Sequence, residues 1–221
     1  MKWNLLPLVF VGIFSSCTQL SRTYDKETSI QNIPCIGKTT YYPSHGTKEF
    51  DPENKLESCH LAKDFTINNF TFKKNSVLFF NQNGELGRCI TSEPTSLGHL
   101  LLPAESNVFF NRWGESINFW LPSPSIVQGY LIPKSTDGIG NSCYPSGKLK
   151  EFWLVNDEVI QGIPCTTSGN PFKVGWKASH FGSDRRIRLS EDGTLERALL
   201  SSNFTYQGKQ YKKGELLYLK K

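Results

Sequence analysis

The feature that most constrains this chain is that it writes nearly the same seven residues twice, SIQNIPC at Ser29–Cys35 and VIQGIPC at Val159–Cys165, 130 positions apart. Matches that keep Pro and Cys in register point to internal repetition, which decides architecture before any single residue does. Aligned on short Gly-centred turns, the chain gives ENKLESCHL from Glu53, NGELGRCIT from Asn83, WGESINFWL from Trp113, SGKLKEFWL from Ser146 and DGTLERALL from Asp192. The second residues are Asn54, Gly84, Gly114, Gly147 and Gly193, and fourteen or fifteen positions later stand Asn69, Gly98, Gly129, Gly162 and Gly208. Asn and Gly accept positive φ, so these are turn markers at nearly constant spacing. Both copies of the heptad fall on the second kind of marker, at Asn32 and Gly162.

Between markers the apolar positions repeat as well. Four residues before the first marker come Phe50, Phe80, Phe110, Cys143 and Leu189; five after it come Cys59, Cys89, Phe119, Phe152 and Ala198. Thirteen after it stand Ile67, Leu97, Val127, Ile160 and Tyr206, and eighteen after it Phe72, Leu102, Ile132, Cys165 and Tyr211. Each step of about fifteen residues holds one strand and its turn, and no stretch sustains a helical period. The expected fold is all-β, an antiparallel meander of about five β-hairpin repeats, with a β-solenoid as the alternative. The cysteines separate the two. In a solenoid Cys59 and Cys89 stack ~4.8 Å apart, within disulfide reach, whereas in a meander they lie two strand spacings apart, ~9.6 Å, beyond it. Reversal at every marker favours the meander, with no Cys59 to Cys89 bond and none between Cys143 and Cys165. Ser44–Glu53 and Lys177–Arg186 break the rhythm and read as loop insertions. For the second, an extra strand is the alternative, because Gly147 to Gly193 is 46 residues.

The stretches Tyr144–Cys165 and Leu189–Gly214 resemble the MORN-variant repeats of YwqK-type bacterial proteins, which run aromatic, x, x, Gly, x, Leu, then a strand, then a second Gly turn. The resemblance implies stacked β-hairpins and brings no active-site motif with it.

The opening MKWNLLPLVFVGIFSSC has one cation at Lys2, an apolar run from Leu5 to Phe14, then two serines and a cysteine. That reads as an export signal too short to span a bilayer. Small residues before a cysteine resemble the lipobox of bacterial lipoproteins, with Phe14 where Leu is commonest, which implies lipidation of Cys17. The expected division is a signal peptide over 1–16, a tether over 17–28 and the repeat domain over 29–221. Thr18 after the cysteine directs the expectation to the outer membrane or cell surface, with a periplasmic or secreted protein as the alternative. Five further cysteines are an odd number, so disulfides are permitted and not required. A net charge of +5 is too mild to imply nucleic acid.

The residues that carry chemistry are scattered. Cys59 and His60 are adjacent on a strand, hence on opposite faces, and cannot act on each other. No C-x-x-C or H-x-x-x-H pair suggests a metal, neither G-x-S-x-G nor a P-loop appears, and no cofactor is expected. His45 and His180 fall in the two insertions, and a hydrolase site built there is the alternative to a non-catalytic module. The terminal lysines, Lys209, Lys212, Lys213, Lys220 and Lys221, guard a free strand edge or meet an anionic surface. Trp113, Phe119, Trp120, Phe152 and Trp153 cluster in the third and fourth units. Adjacent rings on a strand face opposite ways, so one of each pair is core and the other stands outside. Trp113, Trp120 and Trp153 are therefore the candidate binding face, for a protein or glycan ligand.

Overall fold

The computed structural model describes residues 20–42, 54–111, 116–135, 140–167 and 185–219. The chain enters as a hairpin, β1 (Leu20–Ile30) and β2 (Ile33–Tyr42), joined by a tight turn at Gln31 and Asn32. Then a pattern sets in: a sheet strand, a small hairpin, and a second sheet strand. It runs β3 (Lys55–Leu61), the hairpin β4 (Phe65–Ile67) with β5 (Phe70–Phe72), and β6 (Val77–Phe80). Next come β7 (Leu86–Ile90), β8 (Thr95–Leu97) with β9 (Leu100–Leu102), and β10 (Asn107–Phe110). The third unit is β11 (Ile117–Trp120), β12 (Ser125–Val127) with β13 (Tyr130–Ile132), and β14 (Asn141–Cys143). The fourth is β15 (Leu149–Phe152), β16 (Glu158–Ile160) with β17 (Ile163–Thr166), and β18 (Ile187–Leu189). The last is β19 (Leu195–Leu200), β20 (Phe204–Tyr206) with β21 (Lys209–Tyr211), and β22 (Leu216–Tyr218).

In one open antiparallel sheet β1, β2, β3, β6, β7, β10, β11, β14, β15, β18 and β19 pair in chain order as a meander, β22 pairs with β19, and the fourth small hairpin joins through β17 on β19, which brings the sheet to 14 strands. Strand β1 begins at Leu20, so most of the stretch assigned to a tether is instead the edge of the sheet, paired with β2 from Leu20↔Tyr41 to Ile30↔Ile33. Cys59 faces Leu78 of β6, and Leu78 faces Cys89 of β7, which places a whole strand between the two thiols. Cys35, Cys59, Cys89, Cys143 and Cys165 are all buried and unpaired. The meander is the fold.

The two kinds of marker make different turns. At the first kind, Gly147 N–H donates to Tyr144 O at 2.8 Å and Tyr144 N–H to Lys148 O at 2.8 Å, with Gly147 at φ 85°. Gly84 and Gly193 repeat that pattern on Asn81 and Ser190. This is a four-residue turn closed by a glycine bulge, and the ladder slips by one residue beside it. The second kind of marker does not reverse the sheet. It tips a small hairpin, with paired positive φ at Asn68–Asn69, Gln128–Gly129, Gln161–Gly162 and Gln207–Gly208. At the β8–β9 tip, Gly98 alone has positive φ, because the glycine has moved to the first turn position while Leu97↔Leu100 keep their register.

The small hairpins fold back over one face of the sheet and make a second layer. Sheet residues Cys59, Leu78, Cys89, Val108, Phe119, Phe152 and Ala198 share one core with hairpin residues Phe72, Leu97, Leu102, Val127, Ile132 and Cys165. The columns read from the sequence are therefore the two walls of that core: five after the marker from the sheet, thirteen and eighteen after it from the hairpins. Hairpins also reach along the molecule, as when Phe72 meets Phe110 edge-on at 6.2 Å and Tyr130 meets Phe152 at 4.7 Å.

Three tips are fastened by glutamine. Gln31 Nε2 donates to Asn54 O at 3.2 Å and its Oε1 accepts from Leu56 N–H at 3.4 Å. Gln128 does the same to Gly147 O and Leu149 N–H at 2.7 and 3.1 Å, and Gln161 to Gly193 O and Leu195 N–H at 2.7 and 3.0 Å. A primary amide carries a donor and an acceptor side by side, which suits one side chain to both groups of a turn. A further turn closes each hairpin onto its strand: Asn75, Glu105, Ser135 and Gly214 N–H donate to Leu61, Thr91, Leu121 and Leu200 O at 2.7 to 3.0 Å. In the fourth unit the Thr167 hydroxyl takes that place, bonded to both N–H and O of Leu154 at 2.8 Å.

Candidate functional site

The face of the sheet away from the hairpins is the candidate. Its middle row, read across the ladder, is Phe79, Arg88, Phe109, Asn118, Ser142, Glu151, Arg188 and Arg197, each opposite the next. These are the alternate residues of strands whose other side chains fill the core, so their placement follows from the period of two.

One end of the row is an aromatic stack. The Arg88 guanidinium carbon lies 4.7 Å from the Phe79 ring centroid and 5.2 Å from that of Phe109. Asn107 Oδ1 accepts from Arg88 Nε at 2.7 Å and holds it in that slot. Phe109 in turn meets Trp120 nearly edge-on, 4.4 Å between centroids, and Trp120 lies over Gly140, where any Cβ would collide with its indole. All four are half-buried side chains. A guanidinium between two rings is stiff and still has N–H donors to spare.

The other end is ionic. Glu151 is bonded to Arg186 at 2.5 Å and Arg197 at 3.2 Å and lies 3.8 Å from Arg188, which also bonds Glu196 at 3.1 Å. Glu151 and Arg197 side chains are 15% and 8% exposed, so this network fixes three strands to one another more than it offers charge to a ligand.

The three predicted tryptophans fare differently. Trp120 is on the open face; Trp113 lies outside the described residues. Trp153 is buried at 8% exposure, which corrects its place on the binding face. Alternation fails there because β15 ends at Phe152, and the chain then turns inward with Trp153 N–H donating to Asn141 Oδ1 at 3.2 Å. Phe79, Arg88 and Phe109 were missed. The doublets Phe79–Phe80 and Phe109–Phe110 carried the same signal as Phe119–Trp120, one ring to each face, and would have disclosed them.

The remaining candidates come no closer to a reaction centre. Cys59 is completely buried with its thiol held well above the ordinary range, first by its hydrogen bond with Cys35 and then by burial. Burial pushes Cys89 and Cys143 up to about 12 and Cys165 up to about 11, which keeps all three as unreactive thiols. His60 and His99 are exposed on separate elements, and His45, His180 and Cys17 lie outside the described residues. Among the described residues no group of three His, Cys, Asp or Glu side chains could hold a metal, and no helix is long and apolar enough to cross a membrane.

Comparison with known proteins found no matching family model, no matching curated protein and no matching solved structure.

Proposed function

We propose that the protein is an exported lipoprotein, held to the bacterial outer membrane or cell surface through lipid on Cys17, whose repeat domain is a non-catalytic binding or scaffold module. The observation that carries this reading is the Phe79, Arg88, Phe109, Trp120 stack, half-exposed on a sheet face that the hairpin layer leaves uncovered. A flat, preorganised row of rings with a locked guanidinium suits a protein or glycan surface, for which rigid aromatics and Arg supply most of the binding energy. The repeats resembling MORN variants and the export signal support the same reading.

Two measurements test it separately. Metabolic labelling with a fatty acid should mark the parent chain and leave Cys17→Ser unlabelled and soluble after a high-salt wash; sedimentation of that variant with membranes would end the lipoprotein reading. A photo-crosslinking residue placed at Asn118 in intact cells should yield an adduct that disappears with Trp120→Ala. An adduct pattern unaffected by Trp120→Ala and Arg88→Ala would remove the sheet face as the site.

A further inference from the structure

The second broad surface of the molecule is the outside of the hairpin layer. On the five small hairpins of the units the side chains that point away from the core belong to the central cross-strand pair. They are Thr66 and Thr71, Ser96 and Leu101, and Ile126 and Leu131 on the first three. The last two carry Val159 and Pro164, then Thr205 and Gln210. None is charged, in a chain where 20% of residues are. Three of the most exposed large apolar side chains stand here on successive hairpins, Leu101 at 61%, Ile126 at 74% and Val159 at 72%. The strip is continuous, because Val155 N–H donates to Leu131 O at 3.1 Å and so ties the third hairpin to the approach of the fourth.

We propose that this face is where a second copy of the chain docks, the two packing hairpin layer to hairpin layer about a twofold axis at β12–β13. The order of residues selects that occupant. From the centre outward the surface runs from apolar at Ile126 and Leu131, through Ser96 with Leu101 on one side and Val159 with Pro164 on the other, to hydroxyl and amide at both ends, so an apolar middle is flanked by polar ends on either side. An isologous interface requires this of a surface, because every residue meets its counterpart across the axis: Leu101 faces the Val159 hairpin, and Thr66 and Thr71 face Thr205 and Gln210. A surface without charge meets its own copy without repulsion. A membrane surface would call for Lys and Arg with interfacial Trp or Tyr, and a glycan for exposed rings; these ten positions hold neither. Each unit advances the sheet by two strands, ~9.6 Å, so five hairpins span roughly 48 Å by 10 Å. Two such faces remove about 1,000 Å² from water, the lower bound for a specific interface, so association is concentration-dependent.

The test uses the full chain in detergent and in the membranes of expressing cells. All five cysteines beyond Cys17 are buried, so a new surface thiol reports its own surroundings. Ile126→Cys lies at the axis and should give a disulfide-linked dimer under mild oxidation, whereas the parent chain does not. Thr66→Cys mixed with Gln210→Cys should cross-link, and Thr66→Cys alone should not. Sedimentation should show a dimer that Ile126→Glu shifts to monomer while the far-ultraviolet circular dichroism stays that of the parent chain, whose thermal midpoint alone rises with concentration. A parent chain that is monomeric at every concentration, or Thr66→Cys linking to itself as fast as Ile126→Cys, would overturn the proposal.

Discussion

The two copies of the heptad hold corresponding turns in the same way, although the chain between clamp and turn is 23 residues in the first and 32 in the second. In both, the amide of Gln31 or Gln161 spans the turn. Pro34 and Pro164 O accept from Ala62 and Ser201 N–H at 2.8 and 2.9 Å, and Cys35 and Cys165 stand opposite Leu61 and Leu200. Both sit on a strand at an end of the sheet order, and the strands differ in length: the first copy ends β1, of 11 residues, the second ends β16, of 3 residues. What they share is a long link to the turn they hold. Gln128, the third clamp, reaches a turn 19 residues on. In the two shortest units the corresponding tip residues, Asn68 and Gly98, stand only 16 positions before Gly84 and Gly114, and glutamine is absent. Longer links close at a higher entropic cost, and the clamp ties the hairpin tip to its turn where the chain no longer does so by its shortness. The repeated heptad is thus a fastening written wherever an insertion loosens the meander.

The strongest way to break this comparison is at Gly147, whose turn is met by the Gln128 clamp and directly by the β8–β9 tip, with His99 N–H donating to Ser146 O at 2.9 Å. A Cβ at Gly147 would fall within the backbone of Leu97, His99 and Leu100, while Gly193, at φ 88°, has open space around it. Gly147→Ala should destabilise by about 3 kcal/mol or more, lowering the thermal midpoint by roughly 6 to 12 °C, and Gly193→Ala by about 1 to 2 kcal/mol. Equal losses would mean the tip does not dock there. Next in size are the clamps. Gln161→Ala should cost about 1 to 2 kcal/mol in urea unfolding, and Gln31→Ala about half that because its bonds are longer. A larger loss at Gln31 would reverse the ranking that the geometry predicts. The smallest effect belongs to Gly162→Asn, within about 0.5 kcal/mol, since Asn32 occupies that position in the first copy at φ 67°. Gly162→Val should cost at least about 1 kcal/mol.

Much of this was legible in the residues. Apolar columns recurring once per unit and Asn or Gly markers disclosed the all-β meander, its reversal at the first kind of marker and the separation of Cys59 from Cys89, while the expectation of one strand in each fifteen-residue step gave way to a sheet strand and half a small hairpin. The second layer was not. Both kinds of marker carry Asn or Gly, and nothing local distinguishes a turn within the sheet from one that tips a folded-back hairpin; only packing of Phe72, Leu102 or Ile132 onto the sheet does. The turns at Asn75 and Glu105 were hidden for a related reason, since Glu105 takes φ 62° without a glycine to announce it. Strand β1 was hidden because its exposed Arg22, Asp25, Lys26 and Glu27 read as a tether; charge of that kind suits a free sheet edge equally well.

Amide-resolved hydrogen exchange at Leu56 and Leu195, the two N–H groups that Gln31 and Gln161 accept, tests the clamp account most directly. Gln161→Ala should speed exchange at Leu195 by about tenfold and leave Leu56 as it was, and Gln31→Ala should do the converse with a smaller increase. If both amides keep their protection in both variants, the heptads are not fastenings, and the reason the chain writes them twice lies elsewhere.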